Sequence, residues 1–478
     1  MAEGLQYAGD FEIEECRLIT TTGMEIDLNG TGSIMGLTLF EDIFSTTIAG
    51  TITIQDSVNM VSHGPIIGQE YLHLKIKTPT FTEDGDGVID FSKNAFLVNS
   101  ISKRMKITNN IQGFTLSFVS MELVRNQRLK VTQSLTATWS DIVKKMLVDY
   151  LETKKKVVIE ESAGIKKFVA PNMRPLDIIT LGAKQAIGKN KPEPTYLFYE
   201  TLKGFNFRTL ASLYDRPSLL EYVTAITGSV SDGGIIDVLT DMRTIQEYEI
   251  IANNDSLVNY RTGMFGSKLI THDIISKSYD INTYNYHDNF QFETHIAGGE
   301  TKDYPLASDI SVNDKELRVS DFPARTFLMP TSLTGGTDSQ HTTENNTNPY
   351  LAYDPHRWVQ RRTSQMVQLE NALQVNILVN GNTLINAGDK VIVNLPYTAV
   401  LKSSENRKFD RFYNGPFLIK KIRHDFVFTT SPKKHQMYIQ LVKDSLEEKL
   451  NAADGNTEPD APEPAEIEDY EYLQSVGP

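Results

Sequence analysis

FLVNSIS, Phe96 to Ser102, and FLIKKIR, Phe417 to Arg423, carry the same pattern of apolar and polar positions near opposite ends of a 478-residue chain. Each is followed by a second block: MELVRN, Met121 to Asn126, after the first and IQLVKD, Ile439 to Asp444, after the second. The blocks lie about 25 residues apart in the first copy and about 22 in the second, a length change that a surface hairpin absorbs cheaply. Upstream, Gly68 and Gly388 each open an alternating strand, with the in/out register displaced by one residue. Two readings stand open. Two amphipathic hairpins can share Leu, Ile, Val and Phe for core reasons alone, or the chain carries one β domain twice. In the second reading the later domain is discontinuous, built from about 243–298 and 373–450 around an insertion.

Residues 1–128 read as a first antiparallel β domain. Ile48, Ile52 and Ile54 share one face, as do Leu72, Leu74 and Ile76, while Phe114, Leu116 and Phe118 alternate with Thr115, Ser117 and Val119. Residues 129–242 change character to an α+β insert. A helix is predicted over Trp139 to Leu151, with Thr138 as cap and Asp141 in support, and another from Pro175 to a C-terminal cap at Gly188. Tyr196 to Tyr214 reads as a strand running into a third helix. Strand character returns over 243–298, with Ile270, His272 and Ile274 alternating. Residues 299–372 read as an insertion: a polar, turn-rich loop containing SLTGGTDSQHTTENNTNP (Ser332 to Pro349), then a helix from about Pro355 to Leu373 capped by Asp354. Strands resume at Gln374, and 451–478 reads as a disordered acidic tail. The expected fold class is mainly β with an α+β insert, two antiparallel β-barrel or sandwich domains per chain.

The composition, 40% hydrophobic and 23% charged, is that of an ordinary globular chain of about three domains. A single cysteine, Cys16, excludes an intrachain disulfide and fits assembly in a reducing cytoplasm. The acidic start MAEGLQYAGDFEIEE does not have the pattern of a signal peptide, and no run of about 18 apolar residues predicts a membrane span. Of the net charge of −14, eight acids and no Lys or Arg fall in 451–478, leaving about −6 on the body. Such a body is a poor candidate for holding a phosphate backbone.

Three segments resemble a known family. LFEDIFSTTIAGTITIQDSVNMVSHGPIIGQEYLHLKIKTP, Leu39 to Pro79, is similar to the start of the first tube-type domain in the central baseplate hub proteins of T-even-like contractile-tailed bacteriophages. GMFGSKLITHDIISKSYDINTYNY, Gly263 to Tyr286, resembles the opening of their second tube-type domain, and NGPFLIKKIRHDF, Asn414 to Phe426, its close. The resemblance implies two tube-type domains per chain and a homotrimeric ring in the virion's tail baseplate, assembled in the host cytoplasm. It implies a tail spike on one face, tail tube or tube-initiator proteins on the other, and wedge proteins around it. Three chains with two similar domains each would meet a six-fold tube, and DNA would pass through without specific binding. Ring closure requires the edge strands of each β domain to pair or pack against a neighbouring copy. A tail-associated cell-wall hydrolase, or the hub of a non-viral contractile injection machine, are the alternatives.

Candidate chemistry is weak throughout, and no catalytic, cofactor or metal residue is assigned. TEDGDGVIDFSK, Thr82 to Lys93, matches a calcium loop at Asp84, Asp86, Gly87, Ile89 and Asp90 but has Thr82 and Lys93 at the ends where carboxylates are needed. GTGSIMG, Gly30 to Gly36, is one residue too long for a dinucleotide loop and leads into strand. The nine histidines are scattered. Cys16 in FEIEECRLIT reads as a packed thiol, and the adjacent Glu160 and Glu161 would point apart, which is wrong for glycosidase carboxylates. Lys154 to Lys156, and Arg361 with Arg362, read as solvated surface. IEDYEYL, Ile467 to Leu473, reads as a docking peptide or as a solubilising tail.

Overall fold

The computed structural model describes residues 6–64, 66–79, 87–224, 238–252, 255–274, 276–298, 318–331, 353–396, 410 and 413–446. Ser332 to Pro349, the acidic tail with its IEDYEYL segment, and Asp84 and Asp86 of the calcium-like turn lie outside them. The fold is mainly β. Period-two alternation of buried and open positions produces strands β1 (Glu12–Ile19), β2 (Glu25–Asp27), β3 (Ile34–Asp42) and β4 (Ala49–Asp56). It continues through β5 (Tyr71–Lys77), β6 (Val88–Asp90), β7 (Phe96–Lys106) and β8 (Gln112–Ser120). They curl into one sheet ordered β2-β1-β5-β7-β8-β4-β3, with β6 on β5. Ile48, Ile52, Ile54, Leu72, Leu74, Ile76, Phe114, Leu116 and Phe118 all turn into its core.

The insert holds β9 (Val131–Ala137), β10 (Val157–Ile159), β11 (Lys166–Met173), β12 (Tyr196–Thr201) and β13 (Gly204–Thr209) around a core of its own. Thr138 caps the Trp139–Lys145 helix by accepting from the Asp141 N–H at 3.2 Å, and the helix runs on as a π-turn over Met146–Tyr150. The Pro175–Gln185 helix is capped at Ala186 rather than Gly188. Gly188 is drawn instead into a bridge with Ser162, where a side chain would collide with the Lys191 carbonyl. Tyr196 to Thr209 makes a hairpin, not a single strand, before the Leu210–Tyr214 helix.

A closed barrel, the second β domain, forms from β14 (Ser218–Thr224) and β15 (Thr244–Ala252) and, much later, four more strands. The intervening residues place β16 (Gly266–Asp273), β17 (Ser278–Asn285) and β18 (Arg325–Thr331) in a separate three-stranded sheet. The barrel resumes with β19 (Leu373–Asn380), β20 (Lys390–Asn394), β21 (Gly415–Val427) and β22 (Lys434–Lys443). The ring of pairings β14-β15-β19-β22-β21-β20 is complete.

Four strands therefore pair differently from the expectation. Ser218–Thr224, read as insert, joins the barrel; Gly266–Asn285, read as barrel, does not; and Arg325–Thr331, read as loop, is a strand. The alternation in β16 is real, but its buried face carries Ser267, Thr271 and Asp273 around Leu269, while Ile270 and His272 lie on the other side. Ser267 accepts from Gln360 Nε2 at 3.0 Å through its carbonyl, and Thr271 bonds His356 Nε2 at 2.8 Å, so β16 packs on the 355–371 segment through hydrogen bonds. The helix there is Val359–Asn371, preceded by a 3₁₀ turn whose first N–H groups meet Asp354.

Candidate assembly face

The two halves repeat in register. Tyr71 and Leu72 of β5 sit opposite Leu97 and Phe96 of β7, and Lys390 and Val391 of β20 sit opposite Leu418 and Phe417 of β21. Both long strands then bulge at the same place, between Val98 and Ser100 in β7 and between Ile419 and Lys421 in β21. Val98 faces Phe118 where Ile419 faces Leu441. One strand further out, Gly50, Ile52 and Ile54 of β4 face Phe118, Leu116 and Phe114, and Val375, Ile377 and Val379 of β19 face Leu441, Ile439 and Met437. The outermost strands agree too: β3 bulges between Ile34 and Gly36 against β4, and β15 between Ile245 and Glu247 against β19. Gly68 and Gly388 both stand at φ near +90°, and Glu70 and Asp389 after them offer their carbonyls to Val98 and Ile419. The offset of one residue between Gly68-Gln69-Glu70 and Gly388-Asp389 is the displaced register seen in the sequence.

One block of the sequence match is corrected. MELVRN lies in the Met121–Arg128 helix, while IQLVK of IQLVKD ends β22 and Asp444 follows it. The counterpart of Ile439 to Asp444 is Leu116 to Met121, five residues earlier, because Phe118 rather than Leu123 occupies the place of Leu441.

The repeated four-strand units, β7-β8-β4-β3 and β21-β22-β19-β15, are joined by β3 and β21. Seven residues from Gly36 to Asp42 lie opposite Val427 to Lys421, so the two units make one continuous eight-stranded antiparallel sheet. Thr38 Oγ1 donates to Asp425 at 2.8 Å across the joint, and Lys421 Nζ lies 3.1 Å from Asp42. Beneath it, the buried Glu41 carboxylate accepts from the Leu202 N–H of the insert at 3.1 Å and from the Ala387 N–H of the second barrel at 2.7 Å. His424 Nδ1 lies 3.3 Å from His435 Nε2, and the His435 ring stacks on Phe426 at 4.0 Å. Burial, then His424, holds the His435 imidazole well below its ordinary value. Three parts of the chain thus meet on one carboxylate.

One side of this sheet faces the two cores; the other is open. In the first unit the open side carries Thr38, Thr51, Thr53, Thr115, Ser117, Ser100 and Ser102, small hydroxyls without charge. In the second it is a concave surface of about 730 Å³ lined by residues including Glu247, Glu249, Asn376, Tyr438, Gln440 and Arg423. Arg423 is held by Asp425 at 2.6 Å. The face is polar, and its central cations are neutralised.

The residues singled out in the sequence fall elsewhere. Cys16 is fully buried in β1, and burial pushes its thiol up to about 12, so it is not a thiolate at neutral pH. Glu160 accepts from the Thr209 N–H at 2.8 Å, and Glu161 meets Lys189 at 2.6 Å on the surface. Gly30 lies in a turn closed by Asp27 ahead of β3. Asp90, on the described side of the calcium-like turn, accepts from Ser92. Among the described residues no group of three or more His, Cys, Asp or Glu is placed to hold a metal.

Lys154 and Lys156 are exposed, but the expectation of solvated surface fails at Lys155, Arg361 and Arg362. Lys155 is withdrawn between Glu122 and Glu200, at 2.7 and 2.6 Å, where burial alone would lower its pKa but the two carboxylates raise it. Arg361 bridges Glu193 and Glu293, and Arg362 donates to the Tyr196 carbonyl, its pKa brought down to about 10 by burial. These cations join the insertion helix and the first β domain to the insert.

No family profile and no curated protein matches the chain. Solved structures of similar shape include a tail protein from Neisseria meningitidis MC58, 11% identical with a TM-score of 0.46, covering 90% of this chain and 96% of that one. A 43 kDa tail protein from prophage MuSo2 of Shewanella oneidensis is 10% identical with a TM-score of 0.47, covering 90% of this chain and 98% of that one. A type VI secretion system component from E. coli, described as similar to T4 bacteriophage tail proteins, is 8% identical with a TM-score of 0.38, covering 93% and 79%.

Proposed function

We propose that the chain is a non-enzymatic structural subunit of a bacteriophage tail baseplate hub, three copies of which close into a ring. Its tube-type domains are the sheet of β1–β8 and the barrel of β14, β15 and β19–β22. One face of the ring receives the three-fold tail spike and the other the six-fold tail tube or its initiator, with wedge proteins outside. DNA passes through the lumen at ejection.

The observation that carries this reading is the four-strand unit present twice in one register and joined edge to edge. A chain built so offers two near-equal sixths of a circle, and three chains offer six. The open face of the sheet then lines the lumen. Its hydroxyls and neutralised cations give passing phosphates no anchor, since retention depends on Lys and Arg displacing counterions. The same ring would serve a non-viral contractile injection machine. A cell-wall hydrolase would need a paired acid and nucleophile, and Glu160 and Glu161 are committed to Thr209 and Lys189.

Light scattering on the purified chain, with particle images down the axis, tests the reading. The expected result is a trimer whose projection shows six similar lobes around a hole. A strict monomer at every concentration, with no spike association, would sink it, as would peptidoglycan turnover.

A further inference from the structure

The three-stranded sheet β17-β16-β18 packs one side on the Val359–Asn371 helix and the turn before it, and leaves the other side bare. Across the bare side, Leu328, Ile270 and Ile281 stand in one row, Pro330, His272 and Tyr279 in the next, and Thr326, Lys268 and Thr283 in a third. Leu328 is 74% exposed, Tyr279 72% and Ile281 46%, and Ile274, just past the end of β16, is 70% exposed. Lys268 and His272 are the ionisable groups of these nine positions, and Lys277 stands in the turn beyond. No acid is among them, because Asp273 and Asp280 alternate to the helix side. An exposed apolar patch of this kind, rimmed by polar groups, marks a binding surface. We propose that it is the dock for Ile467 to Leu473 of the chain's own acidic tail.

The chemistry of the segment matches that of the sheet. IEDYEYL gathers Ile467, Tyr470, Tyr472 and Leu473 within seven positions and interleaves them with Glu468, Asp469 and Glu471. Neither it nor the rest of 451–478 contains a Lys or Arg. Aromatic rings that travel with carboxylates are the complement of an apolar sheet that carries bases: the rings cover Leu328, Ile270 and Ile281, and the carboxylates meet Lys268 and His272. A second copy of the same side offers no such complement, since it would set Lys268 and His272 against their own counterparts.

The tether brings the two together. Gln368 Nε2 donates to the Asp444 carbonyl at 3.1 Å and to the Tyr286 hydroxyl at 2.5 Å, and Tyr286 is the residue that follows β17. The Ala297 N–H donates to Ser445 Oγ at 3.1 Å. The described chain therefore ends, at Leu446, close to one end of the three-stranded sheet. Twenty residues, 447–466, separate Leu446 from Ile467. Fully extended they span at most about 70 Å, whereas an eight-residue strand such as β17 is about 26 Å long, so every position of the sheet is within reach. Attachment to the same chain raises the local concentration of the segment toward the millimolar range.

The test is a cysteine pair in the full-length chain, Leu328→Cys with Tyr470→Cys, the native Cys16 being buried. Mild oxidation should close a disulfide within one chain, read as a mobility shift at unchanged mass. Val169→Cys with Tyr470→Cys, which pairs the tail with an exposed position of the insert, should give none. Lys268→Glu with His272→Glu should lower the yield of the first disulfide, and adding Glu468→Lys with Glu471→Lys should restore it. A second measurement guards against misfolding. In the full-length variant Tyr470→Ser with Tyr472→Ser, altered only in the tail, a fluorescent peptide of residues 465–475 should bind saturably, and Lys268→Glu with His272→Glu should weaken that binding. A disulfide no stronger than the Val169 control, or peptide binding that is absent or indifferent to Lys268 and His272, overturns the dock. So does a disulfide that joins two chains, which would make the occupant another copy's tail. None of these outcomes depends on whether the chain forms a ring.

Discussion

Lys155 is the charge on which the attachment of the insert to the first β domain depends. Its ammonium touches Glu122 and Glu200, and Glu200 also accepts from Ser120 Oγ at 2.6 Å and from the Ile48 N–H at 2.9 Å. Removing one partner of a buried pair leaves the others uncompensated, so Lys155→Met should cost about 3–5 kcal/mol, read as a lower urea midpoint. Glu41→Gln keeps one acceptor for two N–H groups and should cost about 1–3 kcal/mol by the same measurement. His435 gives the joint a pH dependence whose sign is fixed. Burial keeps it neutral in the fold, well below its ordinary 6.5. As pH falls through 6.5 the unfolded chain binds a proton that the folded chain refuses, so stability is full above that value and declines below it. The slope for one such site is at most about 1.4 kcal/mol per pH unit. Urea midpoints between pH 7.5 and 5.5 should fall, and His435→Gln should flatten the fall; an unchanged slope would remove His435 from the account.

At the scale of the element, the repeat conserves volume across paired positions rather than residue by residue. Gly50 lies opposite Phe118, and any Cβ on it would run into that ring and, at 2.7 Å, into the Thr38 carbonyl, while the matching pair is Val375 and Leu441. Gly50→Val alone should therefore overpack the first core and cost about 1–3 kcal/mol. Combined with Phe118→Leu it reproduces the second barrel's pair, and the double variant should melt closer to wild type than the two single effects added together. This trade of bulk between strands explains why the repeat was only partly legible. Phe96 and Phe417 match because both occupy the inward position before the bulge. Leu123 and Leu441 drew the next block five residues out of place, because Phe118 stands where a leucine was sought. Strand alternation was legible in β5 and β8, but alternation does not name a partner. Nothing local in Gly266–Asp273 said that its polar side would be the buried one, nor in Ser218–Thr224 that a strand after the insert would close a barrel with residues from 373 onward. The cations of the candidate surface patches were misread for a related reason: Lys155 and Arg362 find their acceptors in segments distant in sequence.

For the whole molecule, the proposed ring would multiply every residue of the chain by three, which would make its lumen wall unusually sensitive to charge. In the first unit the open face holds Thr53 beside Thr115, their hydroxyls 3.2 Å apart, with Ser102 next in the row. None of these can anchor a phosphate as a cation does, and in the second unit Lys421 and Arg423 are already engaged by Asp42 and Asp425. Thr53→Arg with Thr115→Arg would place two guanidinium groups per chain, and so six per ring, around a channel whose wall otherwise offers neutral groups, acids and cations already paired. Duplex DNA should then be retained by the variant ring and not by the wild type. The logarithm of its affinity should fall with the logarithm of salt concentration with a slope of about −0.9 for each phosphate engaged. Both substitutions replace side chains on the open side of the sheet, so the trimer by light scattering and the melting temperature should be unchanged, which separates a charge effect from a folding one. Because a duplex confined in the lumen meets all three copies at once, mixed rings carrying one, two or three variant chains should show retention rising stepwise with variant content. Retention by the variant monomer as strong as by the variant ring would mean that this face does not surround the DNA, and the hydroxyl-lined sheet would lose its place as the channel wall.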